Sequence, residues 1–489
     1  MKRARIFFAL PIAILSISLS LTSLVPAVGA AKAGSLCKKA GITDISSGKL
    51  FTCIKSGKKL LWNKGVTVQS PVPSTSASAS PTPTPTPTES QANYLNSPEE
   101  LNVCRVPDKR TTKTGAVAAI AYPVSSGTYP PAVPNLGSVN VAIIPIDFSD
   151  VPGKGSPSTL LDPEIAQINK WIKHFSNGKT SYNIQTSTKW IRASKPSTQY
   201  QWEHPGNTGN PLPEAQRGPY RTPTEIATDL MRDAQNDFDY TNLKIVFFVY
   251  PKEVSAIWDA ITNVGGVETN KGRVNIQINA AGKWLYSSNF PIWAWFLHEN
   301  LHPTGLAGHA PMDASPFNIM TNQAGAALVL SAWDQAILDW QGDNQIYCVS
   351  QSNLSETLIP MNSIDNDSQA GTKAIFIKIS DHEVIVVESH RRAYWSQGWL
   401  GYPGLPEDMK GLLVYKVDTS VDKNRVMEGP AFAQLLPIEG GSSDNYFGPY
   451  SPPFPMKYFV KVGQTVKSSG VTITLVKSGS YDTVKVSKS

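Results

Sequence analysis

The run His298-Glu299-Asn300-Leu301-His302-Pro303-Thr304-Gly305-Leu306-Ala307-Gly308-His309 holds three of the seven histidines in this 489-residue chain. His298 and His302 stand four apart, with Glu299 directly after the first. On a helix that spacing puts both imidazoles on one face, one turn apart. Two ligands of a single zinc ion need that arrangement, and a glutamate beside them suits a general base. A catalytic zinc takes three protein ligands and keeps a position for water. The third ligand must come from beyond the helix, so the chain has to turn back after His302. Gly305 is placed for that turn, because glycine accepts a positive φ without steric penalty. His309 then lies within reach. Bound zinc lowers the pKa of its water towards ~7, and Glu299 takes the proton and hands it to the leaving amine.

The remaining histidines carry no such pattern. His382-Glu383 repeats the His-Glu pair, but Val386 stands where a second ligand is needed, so it reads as a surface pair on a strand. His174, His204 and His390 read as solvated or structural.

The elements that must position these residues alternate in type. Val139 to Phe148 reads as a buried strand, and Pro163 to Phe175 as a helix with Ile165, Ile168, Trp171, Ile172 and Phe175 at helical spacing. Thr222 to Asn236 reads as a second helix, with Thr222 as N-cap and Pro223 at its first position. Lys244 to Tyr250 reads as a fully buried strand, and Arg273 to Ile278 as a half-exposed one. Asn289 to His302 is the helix that bears the histidines. Pro303 disfavours helical geometry in the residue before it, so this helix is expected to end at or just after His302. Strands alternating with helices indicate an α/β or α+β domain. After about residue 351 helical periodicity is lost. Ala374 to Ile379, Glu383 to Glu388, Gly411 to Val417, Lys457 to Val462 and Val471 to Val476 read as short strands of a β-rich, sandwich-like region.

At this point the chain resembles the metzincin zinc peptidases, whose signature is HExxHxxGxx followed by His or Asp. Within them it is similar to the immune inhibitor A-type secreted peptidases of bacteria. The resemblance covers most of residues 139 to 420. Ser315-Pro316-Phe317-Asn318-Ile319-Met320 resembles that family's segment ending in the Met-turn, which implies that Met320 forms the floor beneath the metal. Leu330 to Trp340 resembles the helix that follows. Ile144 to Asp150 and Phe175 to Tyr182 resemble the opening strand and first helix end, and Val386 to Arg391 and Gly411 to Asp418 the strands after the site. The resemblance also implies a substrate peptide held extended against the edge strand Arg273 to Ile278. Two departures stand out. The family's third ligand falls where this chain has Gly308, so His309 is one residue late; either the loop bulges by one residue or Asp313 takes the role. And Asn322, not tyrosine, stands two residues after Met320.

The expected activity is that of a zinc endopeptidase acting on protein or peptide. A noncatalytic surface or binding protein on a peptidase scaffold, or a zinc amidase acting on cell-wall material, are the rival readings. Zinc is the expected cofactor; no residue pattern bears on structural calcium. The formal charge of +6 is mild for this length and no nucleic-acid motif occurs, so nucleic acid is not an expected partner.

The termini and spacers frame this region. Lys2, Arg3 and Arg5 precede an apolar run from about Ile6 to Leu24, and Val28-Gly29-Ala30 offers a small-residue cleavage site. That is an export signal, either cleaved or kept as an anchor, and it implies a secreted or cell-surface protein. Four cysteines behind it favour two disulfides. Three pairings are open; proximity favours Cys37–Cys53, which leaves Cys104–Cys348. Lys38, Lys39, Lys49, Lys55, Lys58, Lys59 and Lys64 face only Asp44 in the first cysteine segment. Such a stub either touches an anionic cell envelope by charge or serves as a solvated spacer. The expected layout is therefore a signal peptide at 1–30, a small basic disulfide-stapled module at 31–66 and a Pro/Ser/Thr-rich linker at 67–95. An α+β metzincin-like catalytic domain at 96–350 and a β-rich domain at 351–489 follow.

Overall fold

The computed structural model describes residues 32–37, 43–46, 49–67, 95–110, 119–124, 131–200, 223–255, 257, 260–270, 272–281, 291–306, 309–311, 315–323, 325–399, 402–421, 431–441, 445–446 and 454–489. The expected export signal, the body of the expected linker, His204 and Asp313 lie outside the described residues. The chain divides into two compact units, Met1–Thr86 and Pro87–Ser489.

The first unit is a small antiparallel sheet of β1 (Thr43–Ser46), β2 (Lys49–Ser56), β3 (Lys59–Trp62) and β4 (Val66–Thr67). Gly57, at φ 61°, makes the tight turn between β2 and β3. Phe51 and Cys53 are buried, and the expected disulfide Cys37–Cys53 is present.

The second unit is mixed α and β. Its first sheet has β5 (Gly137–Asp147), β6 (Thr180–Thr186), β7 (Ile191–Arg192), β8 (Leu243–Val249), β9 (Ala260–Thr269) and β10 (Gly272–Ala281). The order is β6-β5-β8-β10-β9, with β7 beside β5. All pairs are parallel except β9 with β10. On β5, Val139, Val141 and Ile143 join one apolar cluster, and Ala142, Ile144 and Ile146 join another. The period-2 alternation of a strand buried on both faces accounts for this split. After the short α1 (Leu101–Cys104), the helix α2 (Ser158–Phe175) shares the first cluster, and α3 (Pro223–Asp233) the second. α2 begins five residues before Pro163, because a proline near the start of a helix leaves most of its ladder intact.

The sequence expectation of an edge strand at Arg273 to Ile278 is corrected. Those residues lie in β10, which pairs with the outermost strand β9 over all six positions and with β8 only from Gln277 onward, so Gln277 and Ile278 are flanked on both sides and the outer position belongs to β9. The chain folds back between Thr269 and Gly272, and the earlier arm, β9, takes the outer position.

Among the described residues, the region after 345 forms two larger sheets and two short two-stranded ribbons. One has β11 (Ile346–Ser350), β13 (Ala374–Lys378), β14 (Glu383–Arg391), β15 (Lys410–Asp418), β16 (Ala433–Leu435) and β17 (Phe459–Val460). The other has β12 (Thr357–Met361), β18 (Thr465–Ser468), β19 (Val471–Ser478) and β20 (Asp482–Lys488). Ile385, Val387 and Val414 pack with Ile359, Ile473 and Val484 between these two sheets. The opposite face of the first of them carries Val384, Val386 and Tyr415 into the same cluster as α2 and the histidine-bearing helix. Residues on both sides of position 350 thus share one core. The expected strand Lys457 to Val462 is a single 3-10 turn followed by the two-residue β17. Cys104–Cys348 is also present, tying α1 to β11.

Candidate metal centre

The histidine-bearing helix α4 (Ile292–Thr304) is buried on nearly every side: Ile292, Trp293, Ala294, Phe296, Leu297 and Leu301 all lie in the core. Its first turn is capped from elsewhere in the chain. The carboxylate of Glu164, on α2, accepts the backbone N–H of Trp293 at 2.7 Å. Burial pushes Glu164 up to about 7 against that hydrogen bond. At the other end α4 runs two residues past His302, through Pro303. Thr304 Oγ1 donates to the Asn300 carbonyl, and the N–H groups of Gly305 and Leu306 both reach Leu301. These bonds close the last turn despite the proline. Gly305 has φ 120°, and a side chain there would meet Val124 at 2.2 Å. Conformation and space both require glycine at the turn.

His298, His302 and His309 come together. Each offers one ring nitrogen, and these atoms lie within 4.8 Å of one another. The Nε2 atoms of His298 and His302 are 3.3 Å apart. Two ligands at the usual zinc–nitrogen distance of about 2.0–2.1 Å in a tetrahedron are separated by about 3.3 Å. The Nδ1 atoms are engaged elsewhere: His298 with the Ile319 carbonyl at 2.8 Å, His302 with the Leu306 carbonyl at 3.2 Å. A carbonyl only accepts, so both Nδ1 atoms carry hydrogen and both Nε2 atoms present lone pairs. Two lone pairs so close repel unless a cation or a proton lies between them. Burial holds His298 down at about 4, so it is neutral at pH 7, as a metal ligand must be. The donor set and its spacing fit a tetrahedral cation.

His309 reaches the cluster in a left-handed conformation, φ 60°. Its N–H donates to the Met320 carbonyl at 3.0 Å. The loop residues 307 and 308 before it lie outside the described set. Glu299 is mostly buried, with Oε1 4.0 Å from His298 Nε2. Met320 is fully buried. The turn at 318–320 thus holds the imidazole of His298 through the Ile319 carbonyl and the backbone of His309 through the Met320 carbonyl.

A buried polar chain holds that turn. Asn318 Oδ1 accepts the Met320 N–H, and Asn318 Nδ2 donates to Asp334 at 3.2 Å. Asp334 lies on α5 (Ala332–Ile337), where the N-cap Ser331 donates to it at 2.8 Å. Burial pushes Asp334 up to about 6. Glu388, on β14, accepts the N–H of Ala332 at 2.6 Å and the Tyr415 hydroxyl at 2.5 Å. His390 lies between Glu388 and Asp365, at 3.3 and 3.1 Å. Against the pull of burial, the two carboxylates raise His390 to about 9, so it is a buried imidazolium. Its role is structural.

The other described histidines stay apart from the cluster. His174 packs against Trp395 at 5.2 Å, and burial takes it down to about 3. His382 is bonded to Asp381. A separate cleft of about 720 Å³, lined by Glu99, Ser350, Asn353, Lys378 and Lys488, contains no histidine, and the Glu99 carboxylate in it is engaged by Ser350 and Asn353. Glu164, Asn318, Asp334 and Glu388 were not anticipated. For Glu164 a signal existed: it falls in helical register with Leu161, Ile168 and Trp171, a carboxylate on a buried stripe. Ser331 and Asp334 at N-cap spacing were a second signal.

No family model matches this chain, and no curated protein matches it.

Proposed function

We propose that this chain is a zinc-dependent endopeptidase of metzincin type. The observation that carries the reading is the pair of facing Nε2 atoms at 3.3 Å, each turned inward by a carbonyl on its Nδ1, with His309 completing the set. His298, His302 and His309 would hold the zinc. When bound, zinc polarises a water molecule and the scissile carbonyl. Glu299 stands beside His298 and serves as general base, taking the water's proton and returning it to the leaving amine. Burial around His298 excludes bulk solvent and keeps the imidazole neutral, so its lone pair stays committed to the cation. The extended substrate adds along the outer edge of β9, in place of the inner strand β10. Two disulfides support an oxidising compartment, in keeping with the basic, apolar, small-residue run at the N-terminus.

The test compares wild type with Glu299→Gln on a protein mixture and on a cell-wall preparation, with zinc measured on the same samples. Wild type is expected to cleave protein. Glu299→Gln is expected to lose at least about 100-fold in rate while retaining its zinc. Proteolysis that survives in the variant removes this mechanism. Release from wall material without protein cleavage would establish an amidase, and inertness toward both, with zinc bound, a binding protein.

A further inference from the structure

The N-terminal unit leaves two large aliphatic side chains exposed to water. Leu36 is 72% exposed and Ile54 is 46% exposed. They are not scattered. The bridge Leu36↔Leu61 and the pair Ile54↔Leu61 set three aliphatic side chains in one row across neighbouring strands, on a single face. The opposite face carries Phe51 and Cys53, both buried, with Cys53 bound to Cys37. The row cannot turn inward without a change of strand register. Lys59 shares the face of the row, two residues from Leu61, and Lys58 sits in the turn beside it. Lys32 and Lys64 are exposed as well, whereas Lys49 and Lys55, also exposed, alternate with the row and belong to the face of Phe51 and Cys53. Asp44 is the one acid between residues 31 and 66.

We propose that this face docks on the surface of an anionic lipid bilayer. The aliphatic row enters the interfacial layer, and Lys58 and Lys59 beside it meet lipid phosphates. A soluble phosphate polymer would satisfy the lysines but leave Leu36 and Ile54 in water. A neutral bilayer would cover Leu36 and Ile54 but offer the lysines nothing. An anionic bilayer answers both, through apolar burial and surface potential. The contact is peripheral, and among the described residues no helix is long and apolar enough to cross a membrane. It does not depend on the histidine cluster.

The experiment uses a chain beginning at Ala31, which retains every described residue and lacks the apolar run Ile6–Leu24. It is sedimented with vesicles of phosphatidylcholine alone, and of phosphatidylcholine with phosphatidylglycerol. Binding to the anionic vesicles only, weakened by salt, is expected. Each lysine near such a surface multiplies partitioning roughly fivefold, so Lys58→Gln with Lys59→Gln lowers it about 25-fold. Leu36→Ser with Ile54→Ser lowers it at least about tenfold. These four side chains are exposed, and the absence of free thiol confirms that each variant keeps its disulfide. Failure of wild type to bind anionic vesicles overturns the proposal. So does an aliphatic double variant that binds like wild type, or capture by soluble polyphosphate without vesicle binding, since either leaves a contact of charge alone.

Discussion

At His298 a single hydrogen bond decides what the imidazole can do. With Nδ1 donating to the Ile319 carbonyl, the lone pair on Nε2 is aimed at His302. His302 repeats the arrangement through Leu306. Such outer bonds set the tautomer and orientation of ligating histidines. His309 contributes the third nitrogen from a left-handed backbone conformation, uncommon outside glycine. Replacing His309 with alanine is expected to lower zinc affinity at least about 100-fold, measured by competition with a chromogenic chelator. An unchanged affinity would transfer the third position to Asp313. The spacing of His298, Glu299 and His302 was readable without coordinates, because one helical turn is a local geometry. The assignment of His309 over its neighbours was open, since residue count alone does not say whether a loop bulges.

Two elements govern the helix and the turn that carry these residues. α4 begins under Glu164, whose pKa in the fold is raised from 4.5 to about 7. A raised acid contributes stability that is whole below its unfolded pKa and declines as pH rises through about 7. Glu164→Gln keeps an acceptor for Trp293 N–H and removes the ionisation. Variant and wild type are expected to be equally stable near pH 4, with the variant ahead by up to roughly 3 kcal/mol above pH 7. Urea unfolding across that range checks it; a wild type that is the more stable at pH 8 would show the charged cap to be favourable. The 318–320 turn is held through Asn318 and Asp334. Asn318→Asp sets two carboxylates against each other and is expected to lower zinc affinity about 10- to 100-fold. Adding Asp334→Asn restores a donor and acceptor and should recover most of the loss. A double variant as weak as the single would mean that the turn does not act through this bond. Helix and strand types were largely legible from their periods, but the place of β10 was not: alternation says which face is apolar, never which strand lies outside it.

The second unit carries one covalent tie across 244 positions, from Cys104 to Cys348. A loop of that length costs the unfolded chain much freedom, and in the chain-entropy account the bond contributes about 5 kcal/mol. Replacing both cysteines with serine is expected to lower the thermal unfolding midpoint by roughly 5–10 °C, read by circular dichroism. A shift under about 2 °C would mean that the apolar core alone holds the two ends together. That core runs from α2 and α4 to β13, β14 and β15. Glu388, held by His390, bonds the start of α5, whose Asp334 in turn bonds Asn318, so strands far down the chain brace the histidine cluster through that helix. The pairing Cys37–Cys53 and Cys104–Cys348 followed from proximity and elimination, and both bonds are present.

Residue types and short spacings alone set the candidate chemistry, the helix beneath it, the glycine turn at 305 and the two disulfides. Each rests on contacts between near neighbours or on a forced remainder, and backbone geometry limits those to few outcomes. The tertiary fold alone chose the carbonyls behind His298 and His302, the carboxylate over α4, the acids behind Asn318 and the order of strands. Those partners stand up to 129 positions apart, as Glu164 and Trp293 do. No periodic pattern carries information over such distances, because it is the packing of separate elements that brings them into contact.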